Sequence, residues 1–417
     1  MTRALFEPER HEALAAERWD EDRVKHWLHR FADRAQQHWQ ENGAFPLHPR
    51  DESEAEGIVP SGLYYGAMGV WLALERYLHF FEKHADFINI YTNIYKAYRA
   101  APDTGEGVPS WFLGESAILT RLCLLQARAG EIDTPYENRL TEIVHQNLHH
   151  PTREILWGAP GTFLAALFMW EATASSHWRE ICQQHIEVLF DTWEWFDQEG
   201  AWLWEQDLYG KKRVFLGAGH GWVSNIYGLW RAQNLLDDTR YNQLRERTLS
   251  CIKTFALSHA DNLERTAAGP VNWPAVIGHK GLLLQWCHGA PGMICGLHPA
   301  DIPELDVWLY KGGLSILEAG PLKKGVALCH GTDGNGFALL YLHQRFQERS
   351  LPAYLPPIHW LQRARQFAMH ALRQSEAAFA EHGDYRYSLW TGDAGLACFL
   401  LACMEPNMRL PGVDQFV

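Results

Sequence analysis

Two short glycine-rich segments of the chain each place a cysteine directly before a histidine. Cys287 precedes His288, Cys329 precedes His330, and a glycine follows each pair. If the two segments occupy equivalent points of the fold, Cys287, Cys329 and His330 converge on one position. Two thiolates and an imidazole without a fourth protein ligand are typical of an open zinc site, because structural zinc usually has four protein ligands and thiolates favour zinc over magnesium or calcium. The alternative is a pair of structural cysteines beside surface histidines.

An open position on such a zinc ion would hold the thiol of a substrate as a thiolate near neutral pH, although a free thiol has a pKa of about 8.5. His220 lies in a third glycine-rich segment, with a glycine on either side. Histidine titrates near neutral pH, so His220 is a candidate general acid or base, and a turn residue without a chemical role is the alternative. His288 is interpreted as a supporting or acid–base group, because adjacent residues rarely both bind one ion without strain.

Two lysines, Lys323 and Lys324, stand shortly before Cys329. A cation five residues from a zinc ligand can pair with a carboxylate of the incoming thiol substrate. The alternative is an ordinary pair of solvated lysines. A further basic run, residues 211–213, precedes the segment of His220 and is interpreted as a solvated loop, with attraction of an anionic substrate as the alternative.

These segments belong to a repeat that runs through the whole chain. Seven copies of a Gly-x-x-small turn each open an apolar segment of helical length. Runs such as TFLAALFMW and LACFLLAC are apolar nearly all round, which predicts buried helices. The cysteines and histidines described above lie at the fourth, fifth and sixth turns. The seven turns begin at Gly66, Gly114, Gly158, Gly221, Gly289, Gly331 and Gly392.

A more amphipathic helix is predicted before each turn. Between His177 and Trp193, for example, apolar side chains recur at steps of three and four residues, which is the spacing of one helix face. Seven such pairs are satisfied by a closed ring, in which apolar inner helices line the centre and outer helices face water. We therefore predict an all-α fold, an α/α toroid (barrel) of seven helical hairpins, and an open superhelix is the competing arrangement. The N-termini of the inner helices would then meet at one mouth of the ring.

The composition limits the classes of function. The chain has 417 residues, 47% hydrophobic and 21% charged, which predicts a folded protein with a large core. The net charge of −13 argues against nucleic acid as a partner. No uninterrupted apolar stretch reaches the roughly 18 residues of a membrane span, and no signal-peptide core follows the N-terminus, so we expect a cytoplasmic protein. We predict one domain over residues 1–417, with residues 1–40 forming an arm plus the first outer helix.

The turns resemble those of the lanthionine synthetase C-like family, the cyclases of lanthipeptide biosynthesis and their eukaryotic relatives. The segments WCHGAPG from Trp286 and CHGTDGN from Cys329 carry the resemblance. It implies a seven-hairpin toroid whose zinc is bound by Cys287, Cys329 and His330, and a catalytic histidine that matches His220. It also implies an acidic residue four positions before the glycine of the third turn, which is Glu154 here.

The segment LKKG at residues 322–325 is more similar to the eukaryotic-type branch, whose members bind glutathione and add it to dehydroamino acids in proteins. Lys324 matches a basic residue of that branch, and Arg3 matches another much more weakly. The resemblance implies zinc-dependent addition of a thiol, with glutathione as the donor, to a dehydroalanine or dehydrobutyrine residue of a peptide or protein. The fourth turn departs from the family pattern at Gly219, Trp222 and Ser224, and Trp222 would narrow the pocket or stack on a substrate.

Three other functions remain open at this point. A peptide cysteine in place of glutathione would make the protein a lanthipeptide cyclase that forms intramolecular rings. A protein that binds zinc and glutathione without turnover is the second alternative. The third is a toroidal enzyme acting on sugars, which would need a pair of carboxylates near the turns. Candidates for that pair are Glu115, Glu154, Asp333 and Asp393.

Overall fold

The computed structural model describes residues 4–51, 59–105, 107–259, 269–279, 281–347, 349 and 351–416. Fourteen α-helices dominate this part of the chain. In chain order they are α1 (Glu21–Asn42), α2 (Ala67–Phe80), α3 (Phe87–Ala100), α4 (Ser116–Ala129), α5 (Thr134–Asn147), α6 (Ala159–Thr173), α7 (Ser176–Asp191), α8 (Trp222–Arg231), α9 (Asp238–Phe255), α10 (Ala290–Gly296), α11 (Pro303–Ala319), α12 (Thr332–Phe346), α13 (Trp360–His382) and α14 (Asp393–Met404).

The helices alternate between two kinds along the chain, as the repeat predicts. Odd-numbered helices bury one face: α1 buries Val24, Trp27, Leu28 and Phe31 and leaves the intervening residues accessible. Even-numbered helices are buried nearly all round, and every residue of α14 from Asp393 to Cys403 is inaccessible to solvent. An outer helix therefore precedes an inner helix in each of the seven hairpins.

The inner helices close into a ring. Helix α14 packs against α2 and α12, α10 packs against α12 and α8, and α6 packs against α8 and α4. The remaining seam, between α4 and α2, is bridged by a buried ion pair of Arg121 with Glu75. Tyr91 of α3 donates a hydrogen bond to the same carboxylate at 3.0 Å. The predicted toroid is thus confirmed, and the open superhelix is excluded because the first and last hairpins are in contact.

The turns that precede the inner helices are hydrogen-bonded to one another around the mouth. Each bond joins a backbone or side-chain group of one turn to a backbone carbonyl of its neighbour. Six bonds join all seven turns: Gly219 N to Cys287 O, Cys287 N to Cys329 O, Cys329 N to Trp390 O, Trp390 N to Tyr64 O, Tyr64 N to Phe112 O, and Ser110 Oγ to Leu156 O. A seventh, from Asn225 Nδ2 to the carbonyl oxygen of Arg153, closes the circle between the fourth and third turns.

Besides the helices, the described ranges contain three small antiparallel pairs of strands. They are β1 (Glu194–Phe196) with β2 (Ala201–Leu203), β3 (Gln206–Leu208) with β4 (Lys211–Arg213), and β5 (Leu257–Ser258) with β6 (Val271–Asn272). The prediction of a loop at residues 211–213 was wrong, because these residues form β4 and Lys212 lies opposite Asp207 of β3. Strands of three residues are too short to show the alternation that identifies a strand in a sequence.

The N-terminal arm, residues 4–20, lies along the segment that leads to the sixth turn. Glu12 N donates to Pro321 O at 3.0 Å, and Lys323 N donates to Arg10 O at 2.9 Å. His11 and Leu322 form an antiparallel bridge between these bonds. The arm therefore runs beside Lys323 and Lys324 and is held there by its backbone.

The C-terminal segment, residues 405–416, enters the ring. The guanidinium of Arg76 in α2 donates to three carbonyl oxygens of this segment, at 2.7 to 3.1 Å. Buried Asp414 accepts hydrogen bonds from Tyr227 of α8 and Tyr341 of α12. Trp111, beside the second turn, donates to Gly412 O at 2.8 Å. One short segment is thereby bonded to three separate sides of the ring.

None of the helices in the described ranges has both the length and the apolar character that crossing a bilayer requires. All eight cysteines of the chain are buried and free.

Candidate functional site

Cys287 and Cys329 are neighbours at the mouth of the ring. Their turns are joined by the bond from Cys287 N to Cys329 O, at 3.1 Å, and their side chains share a hydrogen bond. That bond and a second one from Gln285 lower the pKa of Cys287, although burial opposes them. The same shared bond, together with burial, raises the pKa of Cys329. The shared bond thus shifts the two pKa values in opposite directions, and Cys287 is the more acidic thiol of the pair.

Each sulfur of the pair has one further donor from the protein. Gln285 Nε2 donates to Cys287 Sγ at 3.0 Å, and the hydroxyl of Tyr64 donates to Cys329. Burial raises the pKa of Tyr64, so the phenol keeps its proton for this bond. Tyr64 is fixed by stacking on Trp390, with ring centroids 6.2 Å apart. Neither Gln285 nor Tyr64 was identified from the sequence, because no local pattern marks a residue as a donor to a distant sulfur.

His330 follows Cys329 at the start of the sixth turn. Burial, with the nearby positive charges of Lys324, Arg386 and Arg10, lowers the pKa of His330 to about 3. The ring is therefore neutral at physiological pH, as a metal ligand must be. Two thiols and a neutral imidazole fit zinc by their donor chemistry. Within the described ranges, however, no group of three or more His, Cys, Asp and Glu side chains is close enough to hold a metal ion, so the three-ligand set stays a prediction.

His220 and Glu154 form a pair across the third and fourth turns. His220 Nδ1 lies 2.9 Å from Glu154 Oε2, and Glu154 is fully buried. The backbone N–H groups of Leu156 and Trp157 donate to the same carboxylate, at 2.9 and 2.7 Å. Burial lowers the pKa of His220, but the hydrogen bond and negative charge of Glu154 outweigh it, so this pKa is raised. The other ring nitrogen, Nε2, has no hydrogen-bond partner among the described residues.

The His–Glu pair and the cysteine pair belong to one site, because the fourth turn contacts the fifth. Gly219 N donates to Cys287 O at 3.1 Å. A Cβ atom at Gly219 would lie 2.7 Å from Cys287 Cβ, so the glycine permits this close approach. The other departures from the family pattern, Trp222 and Ser224, are buried. Trp222 therefore offers no surface for a substrate to stack on, and that part of the expectation was wrong; narrowing of the pocket stays a prediction.

His288 lies between the two pairs. Its ring centroid is 6.0 Å from that of His220 and 6.1 Å from that of Phe215. Burial and the proximity of His220 lower the pKa of His288 to about 3. His288 Nδ1 is buried and has no hydrogen-bond partner in the described part of the chain. A neutral, closely packed ring of this kind suits a supporting role better than proton transfer.

Cations surround the side of the mouth nearest His330. Lys324 acts electrostatically on both Cys329 and His330, and Arg10 and Arg386 act on His330. A cavity of about 370 Å³ opens beside Lys324 and has charged residues of both signs in its wall. They include Arg50, Lys324, Arg386, Glu12 and Asp393. Lys323 differs from Lys324 in that its Nζ is bonded to Glu9 O at 3.0 Å.

The basic residue of the N-terminal arm at this site is Arg10. The weaker sequence match, Arg3, lies outside the described residues. Arg10 was missed because its position depends on the backbone pairing of the arm with residues 320–323. No motif in the sequence of the arm indicates this pairing. The side-chain guanidinium of Arg10 donates to Gln285 Oε1 at 2.9 Å.

Comparison with known proteins gives a consistent result. Residues 57–415 match the family model described as "Lanthionine synthetase C-like protein". The chain is 28% identical over 270 residues to "Glutathione S-transferase LANCL1" of Danio rerio, which covers 61% of this chain and 59% of that protein. It is 27% identical over 156 residues to "LanC-like protein GCL1" of Arabidopsis thaliana, covering 34% and 33% of the two chains. The aligned part thus spans less than two thirds of either relative.

A solved structure extends the similarity to the whole ring. The fold is similar to that of the solved structure named "Nisin cyclase", with a TM-score of 0.57 at 13% sequence identity. The superposition covers 93% of this chain and 95% of the other chain. At this identity the similarity concerns the fold alone.

Proposed function

Since the chain belongs to the lanthionine synthetase C-like family, we propose that it adds a thiol to a dehydroalanine or dehydrobutyrine residue of a peptide or protein, and that the addition depends on zinc. Cys287, Cys329 and His330 would bind the ion. The observation that carries the proposal is the placement of the cysteine pair and the His220–Glu154 pair at one mouth, joined through Gly219.

The proposed reaction divides into loss of the thiol proton to water, formation of the carbon–sulfur bond and gain of a proton at the α-carbon. When bound, zinc would supply the positive charge that keeps the substrate thiol as a thiolate near neutral pH. The thiolate sulfur forms a bond to the β-carbon of the dehydroamino acid, and the electrons of the double bond move towards the α-carbon and its carbonyl. The α-carbon then takes a proton, so that the double bond becomes a single bond and a thioether results.

His220 would supply that proton. Its imidazolium form is favoured by the hydrogen bond and negative charge of Glu154, which raise the pKa of His220. Glu154 also holds the ring by Nδ1 and so leaves Nε2 as the atom that gives the proton. Because Glu154 is fixed by two backbone N–H groups, the pair needs no rearrangement before the transfer.

Glutathione is the proposed thiol donor. It carries two carboxylates, and Lys324, Arg10 and Arg386 lie on the side of the mouth nearest His330. Arg10 and Arg386 are partly buried, although Arg386 is already paired with Asp51, and Lys324 is exposed. Partly buried cations bind carboxylates more strongly than exposed cations do. The name of the Danio rerio relative, a glutathione S-transferase, supports the same donor. A cysteine of the acceptor peptide, as in a cyclase, would use the same residues and differs only in the source of the thiol.

The test is a metal measurement combined with a thiol-addition assay on the purified full chain. We expect about one zinc per chain, lost in Cys329→Ala, and a product whose mass equals peptide plus glutathione. His220→Ala should keep the metal and lose about 10²- to 10⁴-fold in rate. His177→Ala, on the exposed surface of α7, is the matched control and should behave as wild type.

Three outcomes would each remove a part of the proposal. Wild-type protein without zinc would remove the zinc dependence. Zinc binding without turnover of any dehydroalanine peptide would leave the non-catalytic alternative. Ring formation in a peptide with its own cysteine, at a higher rate than glutathione addition, would favour the intramolecular cyclase.

A further inference from the structure

One side chain at the mouth connects the N-terminal arm to the cysteine pair. Gln285 Oε1 accepts a hydrogen bond from Arg10 Nη2 at 2.9 Å, and Gln285 Nε2 donates to Cys287 Sγ at 3.0 Å. Gln285 is 6% exposed, so water competes little for its bond to the sulfur, whereas the bond to Arg10 is only partly buried. These bonds join residues that are 275 positions apart in the chain.

The chemistry of arginine decides which way the Gln285 amide faces. A guanidinium has donors and no acceptor, so only the amide oxygen can bond to Arg10. The NH₂ group must then face the sulfur of Cys287. Without Arg10, the amide could turn over and present its oxygen to the sulfur, and an amide oxygen has no proton to donate. Arg10 thus determines that Gln285 faces the sulfur with its NH₂ group, as a donor, and not with its oxygen.

Backbone bonds hold both ends of this connection. Gln285 N donates to His288 O, and His288 N donates to Gln285 O, each at 2.9 Å, so the turn that carries Cys287 is closed on itself. At the other end, Arg10 O accepts from Lys323 N at 2.9 Å, and His11 Nδ1 lies 3.0 Å from Gly320 O. The two side-chain bonds therefore join two anchored parts of the backbone.

We infer that Arg10 and Gln285 form a positioning pair, in which Arg10 orients the Gln285 amide as a fixed hydrogen-bond donor to the Cys287 sulfur. The consequence for metal binding rests on the proposed function: a donor to a ligand sulfur holds the ligand in place and spreads its negative charge. The N-terminal arm then contributes to the site by orienting Gln285, although the arm lies outside the helical ring. Neither residue needs to touch the substrate for this role.

The experiment compares zinc release from the purified full chain in four variants. Zinc is transferred to a chromophoric chelator, and the apparent affinity is measured beside the melting temperature. Gln285→Leu and Arg10→Met should each weaken zinc binding about 10- to 100-fold, the range found for residues that support metal ligands. Arg10→Lys keeps a donor for Gln285 Oε1 and should recover most of the affinity. Arg18→Met, on an exposed part of the same arm, is the matched control and should equal wild type.

The double variant Arg10→Met/Gln285→Leu distinguishes a connected pair from two separate effects. If Arg10 acts through Gln285, the double variant should be no weaker than Gln285→Leu alone. Additive losses, or an Arg10→Lys variant as weak as Arg10→Met, would overturn the inference. So would wild-type affinity in Gln285→Leu.

A second measurement keeps this inference separate from the proposed function. If wild-type protein binds no zinc, the zinc dependence fails, and the Gln285 amide is then observed directly by NMR of its side-chain NH₂ protons in selectively labelled wild type, Arg10→Met and Arg18→Met. These protons should exchange slowly with water in wild type and Arg18→Met, and at least several-fold faster in Arg10→Met. Equal exchange rates in the three proteins would overturn the positioning role.

Discussion

The raised pKa of His220 predicts how the proposed reaction depends on pH. Glu154 raises the pKa of His220 above its ordinary value of 6.5, in spite of burial. As a proton donor, His220 is active below its pKa and inactive above it. The activity should therefore fall as the pH rises through this raised pKa.

Glu154→Gln should lower the rate and move this upper pH limit downwards. The neutral amide removes the charge that favours the imidazolium, so the pKa of His220 falls and less of the donor form is present at neutral pH. We expect a loss of about 10²-fold at neutral pH, smaller at low pH, measured as a profile of kcat against pH. Glu180→Gln, at an exposed position of α7, is the control. An unchanged upper limit in Glu154→Gln would contradict the assignment of His220 as the donor.

Asp333 shows how a carboxylate beside the site can be excluded from chemistry. It is fully buried, and neither of its carboxylate oxygens has a hydrogen-bond partner in the described ranges. Burial, with the negative charge of Asp393, raises the pKa of Asp333 well above 3.8. Glu115 is also buried and is paired with Arg139. These carboxylates cannot reach a sugar, so the pair that a glycoside-cleaving enzyme needs is not formed by them.

Asp333→Ala should stabilise the protein at neutral pH. The raised folded-state pKa means that the contribution of Asp333 is fully present below pH 3.8 and is lost as the pH rises through the folded-state pKa. Above that range the buried carboxyl costs about 1–3 kcal/mol, which the alanine removes. Urea unfolding of the wild type and variant at several pH values measures this, with exposed Asp191→Ala as the control. A less stable Asp333→Ala variant would show that the carboxyl has a partner.

At the residue level, the motif residues could be identified from the sequence and their supporting residues could not. Cys287, Cys329 and His220 stand in glycine-rich turns that repeat, so their convergence follows from the repeat. Gln285 and Tyr64 carry no such mark, because a donor to a sulfur is defined only by its distance from that sulfur in the fold. The pairing of the arm with residues 320–323 determines the position of Arg10 in the same way.

Between helices, the seam of α2 and α4 depends on one buried ion pair. Glu75 and Arg121 are both inaccessible to solvent and bonded to each other, and Tyr91 of α3 donates to the same carboxylate. A buried charge whose partner is removed is strongly destabilising, whereas removal of both charges is much less so.

Arg121→Met should therefore destabilise the fold by about 3–5 kcal/mol. The variant leaves Glu75 charged and unpaired in the core. The double variant Glu75→Leu/Arg121→Met should recover most of this loss, and both are measured by urea unfolding. Equal destabilisation in the single and double variants would mean that the seam depends on the shapes of these side chains rather than on their charges.

The helices were easier to predict than the hairpins between them. Outer helices such as α7 and α13 follow the three-and-four spacing of their apolar residues over more than fifteen positions, and long patterns of this kind are informative. The strands β1 to β4 contain three residues each, and their pairing is set by contacts with the ring. Three residues are too few to show the alternation by which a strand is recognised in a sequence.

For the whole molecule, the C-terminal segment joins inner helices that are not neighbours in the ring. Arg76, Tyr227 and Tyr341 come from three inner helices and all bond to residues 409–416. This segment is too short and irregular to be recognised as a structural element in the sequence. The closed ring itself was predictable, because each of the seven repeats leaves an apolar face that only its neighbours can cover.

A chain shortened to end at Met404 should lose much of its stability. In the shortened chain the buried guanidinium of Arg76 would lose its three carbonyl acceptors. An unsatisfied buried charged group costs several kcal/mol. We expect a melting temperature lower by about 10 °C or more, measured by circular dichroism. Removal of residue 417 alone is the control and should change little. An unchanged melting temperature in the longer truncation would show that the ring is stable without this segment.

The hydrogen bonds that connect the turns also determine when the site can form during synthesis of the chain. Cys329 N is bonded to Trp390 O, and Trp390 N is bonded to Tyr64 O. Tyr64 leaves the ribosome long before Trp390, so the first hairpin cannot bond to the seventh until the seventh has been synthesised. When Cys287 and Cys329 are synthesised, the ring is therefore still open on one side. A growing chain carries both cysteines but no assembled mouth, and the complete mouth forms only when the first and last hairpins meet.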